Sequence, residues 1–408
     1  MEVKSKELKG NPKQYDGYKS FQYLEPGIDY KEYQLAKEIG RVPAYTYPVT
    51  EKEEDSVQAI LGEDLMISMH EHTFIAPENL QEFYEFRRQG RDWTAFEALS
   101  KSGLDVVFEN FMDGTAFVTS QAGWKWSDVI HDLGIRFSDI AHQDMVIKAE
   151  RISDIYRAKK EGKIAFVGAL ESCSMIENEL DRLDVLYGFG IRTMGVCYSE
   201  ANQLGSGLRE PSDGGLTVFG RQAVRRMNKL GITVDLSHAG DKTALDTIEV
   251  SEKPVTINHA GARAIWNTNR LKPDEVIKAC AEKGGVIAIE AAPHSTVTDN
   301  HPAHNIESFM EHFEYSANLV GIDHVAFGPD TLFGDHVGLH TLLSGQLSIK
   351  KAQMPNMQRV PYVEGLENPA ECFPNILRWL VKRGYSREDI TKVMGGNIIR
   401  VLKETWAK

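Results

Sequence analysis

Eight short apolar runs divide most of this chain, and six candidate metal-binding histidines and carboxylates stand just after five of them. The runs fall at residues 65–69, 104–108, 164–170, 191–196, 233–236, 255–257, 285–289 and 324–327. Each is nearly continuous in its apolar residues rather than alternating, the pattern of strands buried on both faces of a parallel sheet. Between the runs the spacing turns helical. Phe219, Ala223, Val224, Met227 and Leu230 recur on one face, and Gly231 supplies the stop. Pro273 opens another helix that carries Val276, Ile277 and Cys280 on one side, and Gly284 ends it. Ser386 and Asp389 form a capping pair ahead of Ile390, Val393 and Met394. Eight strands alternating with helices predict a (β/α)8 TIM-like barrel. An open doubly wound sheet has the same pattern, because closure leaves no mark on periodicity.

Residues 1–60 are polar, rich in Tyr and Pro and weakly periodic. They are expected to form an extension packed on a barrel built from residues 61–408. Two segments exceed what a bare barrel needs. Residues 112–162 include Trp124-Lys125-Trp126, and residues 331–371 carry Pro355, Pro361 and Pro369. Loops that follow strands build the catalytic face of such a barrel, so these are expected substrate walls or a lid.

The chemistry lies at the run ends. His70-Glu71-His72 closes the first run, and residues i and i+2 of a strand share a side, so His70 and His72 can grip one ion. Glu171 follows the third run and has two oxygens with which to bridge to a second ion. His238, after Asp235-Leu236-Ser237, and His259, after Asn258, complete that second shell. Asp330 ends Gly328-Pro329-Asp330 and stands over the metals as proton carrier or as an additional ligand. Two divalent ions are expected, Zn²⁺ first, with Mn²⁺ or Fe²⁺ as substitutes. Taken singly, a histidine after a strand is more often a hydrogen-bonded structural residue, and an acid there a helix cap. Six such groups at five strand ends argue jointly for a binuclear site and for hydrolysis by a metal-activated water. His294, His301 and His304 read as a solvated loop, Cys173 as buried packing, and Trp124 and Trp126 as either pocket lining or core.

A formal charge of −13 argues against nucleic acid or an anionic membrane as the main partner. The four cysteines form no CxxC pair, the first residues lack an apolar signal region, and no run approaches a membrane span. A cytoplasmic enzyme is the expectation.

At these residues the chain resembles the membrane (renal) dipeptidase family, the M19 metallopeptidases of the amidohydrolase superfamily. Gly215-Leu216-Thr217-Val218-Phe219-Gly220-Arg221 is similar to the family segment leading into Asp235-Leu236-Ser237-His238. Gly321-Ile322-Asp323-His324-Val325 with Gly328-Pro329-Asp330 resembles its last strand, and Gly384-Tyr385-Ser386 with Gly395-Gly396-Asn397 its C-terminal helices. The resemblance runs from about residue 64 to the C-terminus. It implies a (β/α)8 barrel, two zinc ions, possession of a homodimer interface, and hydrolysis of dipeptides, including those with a D-residue or dehydro residue second. By position it implies that His70 binds one metal, Glu171 bridges, His238 and His259 bind the other, and Asp330 handles protons. It also gives Arg270 the role of holding a substrate's free carboxylate, apt for a guanidinium.

Three positions depart from the family. Its first motif, His-x-Asp, is here His70-Glu71-His72; its substrate-contacting histidine is here Tyr198; and its Asp-Phe-Asp-Gly reads Asp330-Thr331-Leu332-Phe333-Gly334. His-x-His is the pattern of the wider superfamily, so His72 still reads as a ligand. Tyr198 is then the group expected to contact substrate and hold the developing oxyanion. The leading expectation is a binuclear metal-dependent hydrolase that cleaves the amide bond of a dipeptide or dipeptide-like small molecule by a metal-bridging hydroxide. Competing readings are a superfamily enzyme acting on a cyclic amide or decarboxylating its substrate, and a catalytically silent binding barrel.

Overall fold

The computed structural model describes residues 11–88, 91–111, 125–346 and 358–406. In chain order its strands are β1 (Ile67–His72), β2 (Phe74–Ile75), β3 (Trp93–Thr94), β4 (Val106–Phe111), β5 (Val146–Lys148) and β6 (Ile164–Leu170). They continue with β7 (Ile191–Gly195), β8 (Thr233–Asp235), β9 (Thr256–Ala260), β10 (Val286–Ile289), β11 (Val325–Phe327) and β12 (Thr331–Leu332). The main sheet runs β11-β10-β9-β8-β7-β6-β4-β1-β12, with β5 paired to the lower part of β6. Every pairing in it is parallel.

The last stave closes the ring. Its first half, β11, pairs with β10, and its second half, β12, pairs with β1. Between the halves the Asp330 N–H donates to the His70 carbonyl at 3.1 Å, and the Gly328 N–H to the Ile289 carbonyl at 3.0 Å. One strand thus satisfies backbone groups on both of its neighbours, and the barrel keeps no free edge there. All eight expected strands are staves. The first extends three residues further than its apolar run, through His72.

The two ends of the barrel differ in chemistry. Under the N-terminal ends of the staves lies the helix Asn397–Thr405. Asn397 donates to the Val325 carbonyl at 2.9 Å, and Thr405 meets the Thr233 hydroxyl at 2.8 Å. Ile398, Val401 and Leu402 of that helix pack with Ile67, Met69, Phe108, Val286, Ala288 and Ala326, so the lower lumen is apolar and plugged. Outside, the opposite faces of the same strands meet the helices: Phe327 stacks on Phe309 and Phe313 of the helix Ile306–Val320. The helix Val218–Leu230 begins where the Thr217 hydroxyl accepts from the Gly220 N–H and ends at Gly231, φ 90°, as its composition predicts.

Among the described residues of the first part of the chain, no helix precedes Glu51–Glu63, a helix that runs through residue 60. Three buried acids hold it to the barrel. Asp105 takes Lys13 at 2.7 Å, Asp139 takes the Tyr18 hydroxyl at 2.7 Å, and Glu367 takes Arg41 at 2.6 Å. Residues 126–160, read from sequence as part of a long loop, form the helix Trp126–Ile140, strand β5 and the helix Ile152–Lys160. Trp124 and Pro355 lie outside the described residues.

Gly195, the last residue of β7, stands against β6 so closely that a Cβ would lie 2.0 Å from the Glu171 carbonyl oxygen. Both contacting atoms are backbone, so Gly195→Ala must push the end of β6 away. Overpacking of this kind costs about 1–3 kcal/mol. Chemical denaturation is expected to register that loss, and an unchanged midpoint would show that the two strand ends are not rigidly apposed.

Candidate metal centre

A bulge in the first stave sets the site's geometry. Ile67 and Ser68 register with Val106 and Val107, but Glu71 registers with Glu109, so Met69 and His70 together oppose Phe108. The alternation slips by one residue. His70 and His72 therefore follow Ile67 and Met69 into the lumen, while Glu71 turns outward. There Glu71 accepts from the Ser68 hydroxyl at 2.8 Å and from the Thr331 N–H at 2.9 Å, tying β1 to β12.

The other members arrive from the C-terminal ends of four more staves. Glu171 is the first residue after β6, His238 follows β8, His259 lies on β9, and Asp330 sits between β11 and β12. All six are buried. Asp330 has φ 60°, left-handed for a residue with a Cβ, and that turn swings its carboxylate off the ladder. Ser199, at φ 52°, breaks the chain after β7 in the same manner. Its hydroxyl lies 3.3 Å from His238 Nδ1.

Four imidazole Nε2 atoms and two carboxylates share one small volume. His70 and His72 face each other Nε2 to Nε2 at 3.2 Å, and His238 and His259 at 2.9 Å. Glu171 spans the two pairs: Oε1 lies 3.3 Å from His72 Nε2, and Oε2 lies 3.1 Å from His238 Nε2 and 3.8 Å from His259 Nε2. Asp330 Oδ1 lies 3.3 Å from both His70 Nε2 and His72 Nε2. Three overlapping triads have ligand atoms within 4.8 Å of one another: His70–His72–Glu171, His70–His259–Asp330 and Glu171–His238–His259.

The donor set fits divalent ions. His72 Nδ1 is 2.7 Å from the Asn110 carbonyl, which fixes the proton on Nδ1 and leaves the Nε2 lone pair facing the centre. Glu171 Oε1 makes no short hydrogen bond, and His72 Nε2 stands 3.3 Å from it. Imidazole and carboxylate lone pairs that converge in a buried place repel one another unless a cation or a proton lies between them.

The titration of the site reflects the same need. Burial alone would lower the His72 imidazolium, but the Asp330 and Glu171 carboxylates outweigh it and push it up to about 10. Burial would raise Glu171, but His238 and His72 hold it well below the usual carboxylate range, and His70 does the same for Asp330. Burial and then Arg270 lower His238 to about 4, and burial lowers His259 far below its ordinary value. Ionised acids with neutral imidazoles are the states that bind metal. The proton on His72 occupies the place a cation would take.

Tyr198 stacks on His238 with ring centroids 4.1 Å apart, at the rim of the site. Arg270 is also here, but it is engaged. Its Nη1 donates to the His259 carbonyl at 3.2 Å, its Nη2 pairs with Glu290 Oε2, and Asp330 Oδ2 is 4.0 Å away. Glu290 is a member that the sequence reading passed over, although it follows β10 as directly as Glu171 follows β6. It is fully buried. Burial raises its carboxyl to about 8 against the pull of Arg270, and a divalent cation among its neighbours acts in the same sense as Arg270.

Two further histidines brace the end of the last stave, His340 at Asp330 and His336 at Leu332. His340 Nε2 lies 3.1 Å from the Asp330 carbonyl, and His336 receives the Leu332 N–H at 3.0 Å while its Nε2 lies 3.1 Å from the Ala291 carbonyl. Their i, i+4 spacing was the available signal. His304, expected in a solvated loop, is buried and accepts from the His294 N–H at 3.0 Å. Cys173 is buried, and burial pushes its thiol well above the reactive range.

A parallel (β/α)8 barrel with histidines and carboxylates gathered at the C-terminal mouth defines a class, that of the metal-dependent amidohydrolase-like barrels. Residues 132–341 and 359–407, more than half of the chain, match the family model described as membrane dipeptidase (peptidase family M19). The chain belongs to that family. The match begins beyond β1, where the sequence departs from the family's first motif. Dipeptidase tcpJ of Claviceps purpurea (strain 20.1) is 30% identical over 291 residues, which cover 68% of this chain and 62% of that protein's length. An amidohydrolase from Pseudomonas aeruginosa superposes with a TM-score of 0.72 at 26% identity, covering 86% of this chain and 99% of the other. A metallo peptidase from Rhodobacter sphaeroides, liganded with a phosphinate mimic of the dipeptide L-Ala-D-Ala, shares the fold at 18% identity with a TM-score of 0.63, covering 84% of this chain and 99% of its own.

Two outcomes test the centre. His238→Ala is expected to lower bound metal, measured by elemental analysis of the purified protein. Between about pH 7 and 9, metal binding is expected to release about one proton from His72, and the release is expected to fall by half near pH 10 and to vanish well above it, where that imidazole is already neutral. Calorimetry in buffers of different ionisation heats measures this, and binding with no proton release at pH 8 would contradict the assigned state of His72.

Proposed function

We propose that this chain is a binuclear metal-dependent hydrolase that cleaves the amide bond of a dipeptide or dipeptide-like small molecule. The observation that carries the reading is Glu171 set between two imidazole pairs, one carboxylate oxygen towards each. His70 and His72 with Glu171 Oε1 would hold one ion, and His238 and His259 with Glu171 Oε2 the other, zinc first, with manganese or iron as substitutes. When bound, the ions supply Lewis acidity, which polarises the scissile carbonyl and brings a water's pKa from 15.7 towards about 7.

The protein's own groups supply the rest. Asp330, anionic and within 3.3 Å of both His70 and His72, accepts the attacking water's proton and passes it to the leaving nitrogen. Burial raises the Tyr198 phenol well above its ordinary value, so it keeps its proton and remains a donor for the developing oxyanion. Arg270 directs its remaining N–H groups to the oxygen at the substrate's carboxyl end. No helix among the described residues is long and apolar enough to cross a membrane, and the four cysteines are buried and unpaired, which suits a reducing cytoplasm.

Asp330→Asn is expected to keep its metal and lose at least about a hundredfold in turnover, the low end for a positioned acid–base group. Steady-state rates on L,L-, L,D- and cyclic dipeptides with the zinc-reconstituted protein measure it. Near-normal rates in the variant would remove Asp330 from the chemistry, and no hydrolysis of any of these by the parent protein would remove the reading itself.

A further inference from the structure

The ladder between β8 and β9 is short. Asp235 and Thr256 are its one registered pair, and the Leu236 N–H donates to the Thr256 carbonyl at 2.9 Å. His238 and His259 lie beyond that pair, so the ladder does not fix the 2.9 Å between their Nε2 atoms. Side chains take over. Asp235 Oδ1 accepts from the Asn258 N–H at 2.8 Å, and the Ser237 hydroxyl accepts from the His259 N–H at 3.1 Å. Lys272 adds a third bridge, its Nζ donating to the Ala239 carbonyl at 2.6 Å, one residue past His238. The peptide N–H of the same lysine donates to the Gly261 carbonyl at 3.0 Å, two residues past His259. One residue thus holds the chain just after both histidines.

We infer that Lys272 is a positioning residue of the metal centre, a cross-brace that sets the spacing of His238 and His259. The inference rests on the binuclear reading and extends it to a residue outside the ligand set. The brace is stiff at its root. Lys272 precedes Pro273, the N-cap of the helix Asp274–Glu282, and a residue before proline is held in extended backbone. Its carbonyl accepts from the Arg263 N–H at 2.9 Å, which closes the turn after β9 on itself. On the far side the His238 carbonyl accepts from the Leu208 N–H at 3.0 Å, so the chain around His238 is held from two directions. Packing alone does not explain a lysine here. Lys272 is fully buried. Burial, and then Arg270, lowers its amine to about 7, and Asp241 and Asp235 only partly offset them. A methionine of nearly the same length would fill the space without taking an amine out of water. What methionine lacks is the N–H that reaches Ala239, and both protonation states of the lysine carry one.

The test separates metal affinity from stability. Zinc is titrated calorimetrically, against a competing chelator, into the 408-residue chain and into Lys272→Met, and the denaturant midpoints of both metal-free proteins are measured. Lys272→Met is expected to weaken one of the two ions at least about tenfold and the other less than about twofold, as loss of an outer support of one ligand pair does. The metal-free midpoint is expected not to fall, because the substitution also removes a buried amine. In a His238→Ala chain, which keeps His70 and His72, the same substitution is expected to leave the remaining ion's affinity within about twofold. Unchanged affinity for both ions, equal weakening of both, or a further tenfold loss in the His238→Ala chain, about the effect of an outer support, would each overturn the inference. So would a metal-free Lys272→Met chain that does not fold, since Lys272 would then support the barrel and not the site. A parent chain that takes up fewer than two ions would remove the binuclear reading and this inference with it. Two ions in the parent with no selective loss in the variant would remove the inference alone.

Discussion

Electrostatic repulsion among buried lone pairs is the constraint around which this barrel is organised. Four imidazole nitrogens and two carboxylates occupy a volume in which neighbouring atoms lie 2.9–3.8 Å apart. Removed from water, such a cluster is unfavourable unless positive charge sits within it. In the metal-free protein that charge is a proton on His72, drawn there by Asp330 and Glu171. A bound cation would replace the proton with more charge, and folding of the upper barrel and occupancy of the site would then be linked.

Local backbone irregularities deliver those groups. The bulge at Met69 and His70 changes the side of the sheet to which the first stave sends its polar residues. Asp330 takes a left-handed conformation that costs about 1–2 kcal/mol for an ordinary L-residue, and somewhat less for Asp. Gly195 gives up its side chain so that the Glu171 backbone can approach. Each departure lies within two residues of, or in contact with, a candidate ligand. The lower lumen, where Ile67, Val286 and Ala326 meet the plug helix, has only packing to satisfy.

Periodicity made the architecture legible because a strand buried on both faces has few ways to be written. All eight runs became staves, and Gly231 and Pro273 bounded their helices where expected. The candidate site was legible for the same reason: a polar residue that interrupts an apolar run at its end has few structural excuses. What failed to show was anything fixed by contact instead of pattern. Strand β5 is only three residues long and pairs with β6 below β7, a position that no alternation reports. The ring's closure depends on hydrogen bonds on either side of Gly328-Pro329-Asp330. Glu290 bore the same signal as Glu171, but an acid after a strand gains meaning only from its partner, and Arg270 is twenty residues away in sequence.

That partner sets the charge at the mouth of the barrel. Arg270, after β9, faces Glu290, which follows β10, and lies 4.0 Å from Asp330, so two carboxyl groups flank one guanidinium that also donates to the His259 carbonyl. The candidate metal-binding groups stand on or after β1, β6, β8 and β9 and before β12. Different staves thus bring different groups to one rim, and a loop after one strand can change while the ladder that holds its neighbours keeps its register, which is how a scaffold of staves hosts different chemistries without altering its core.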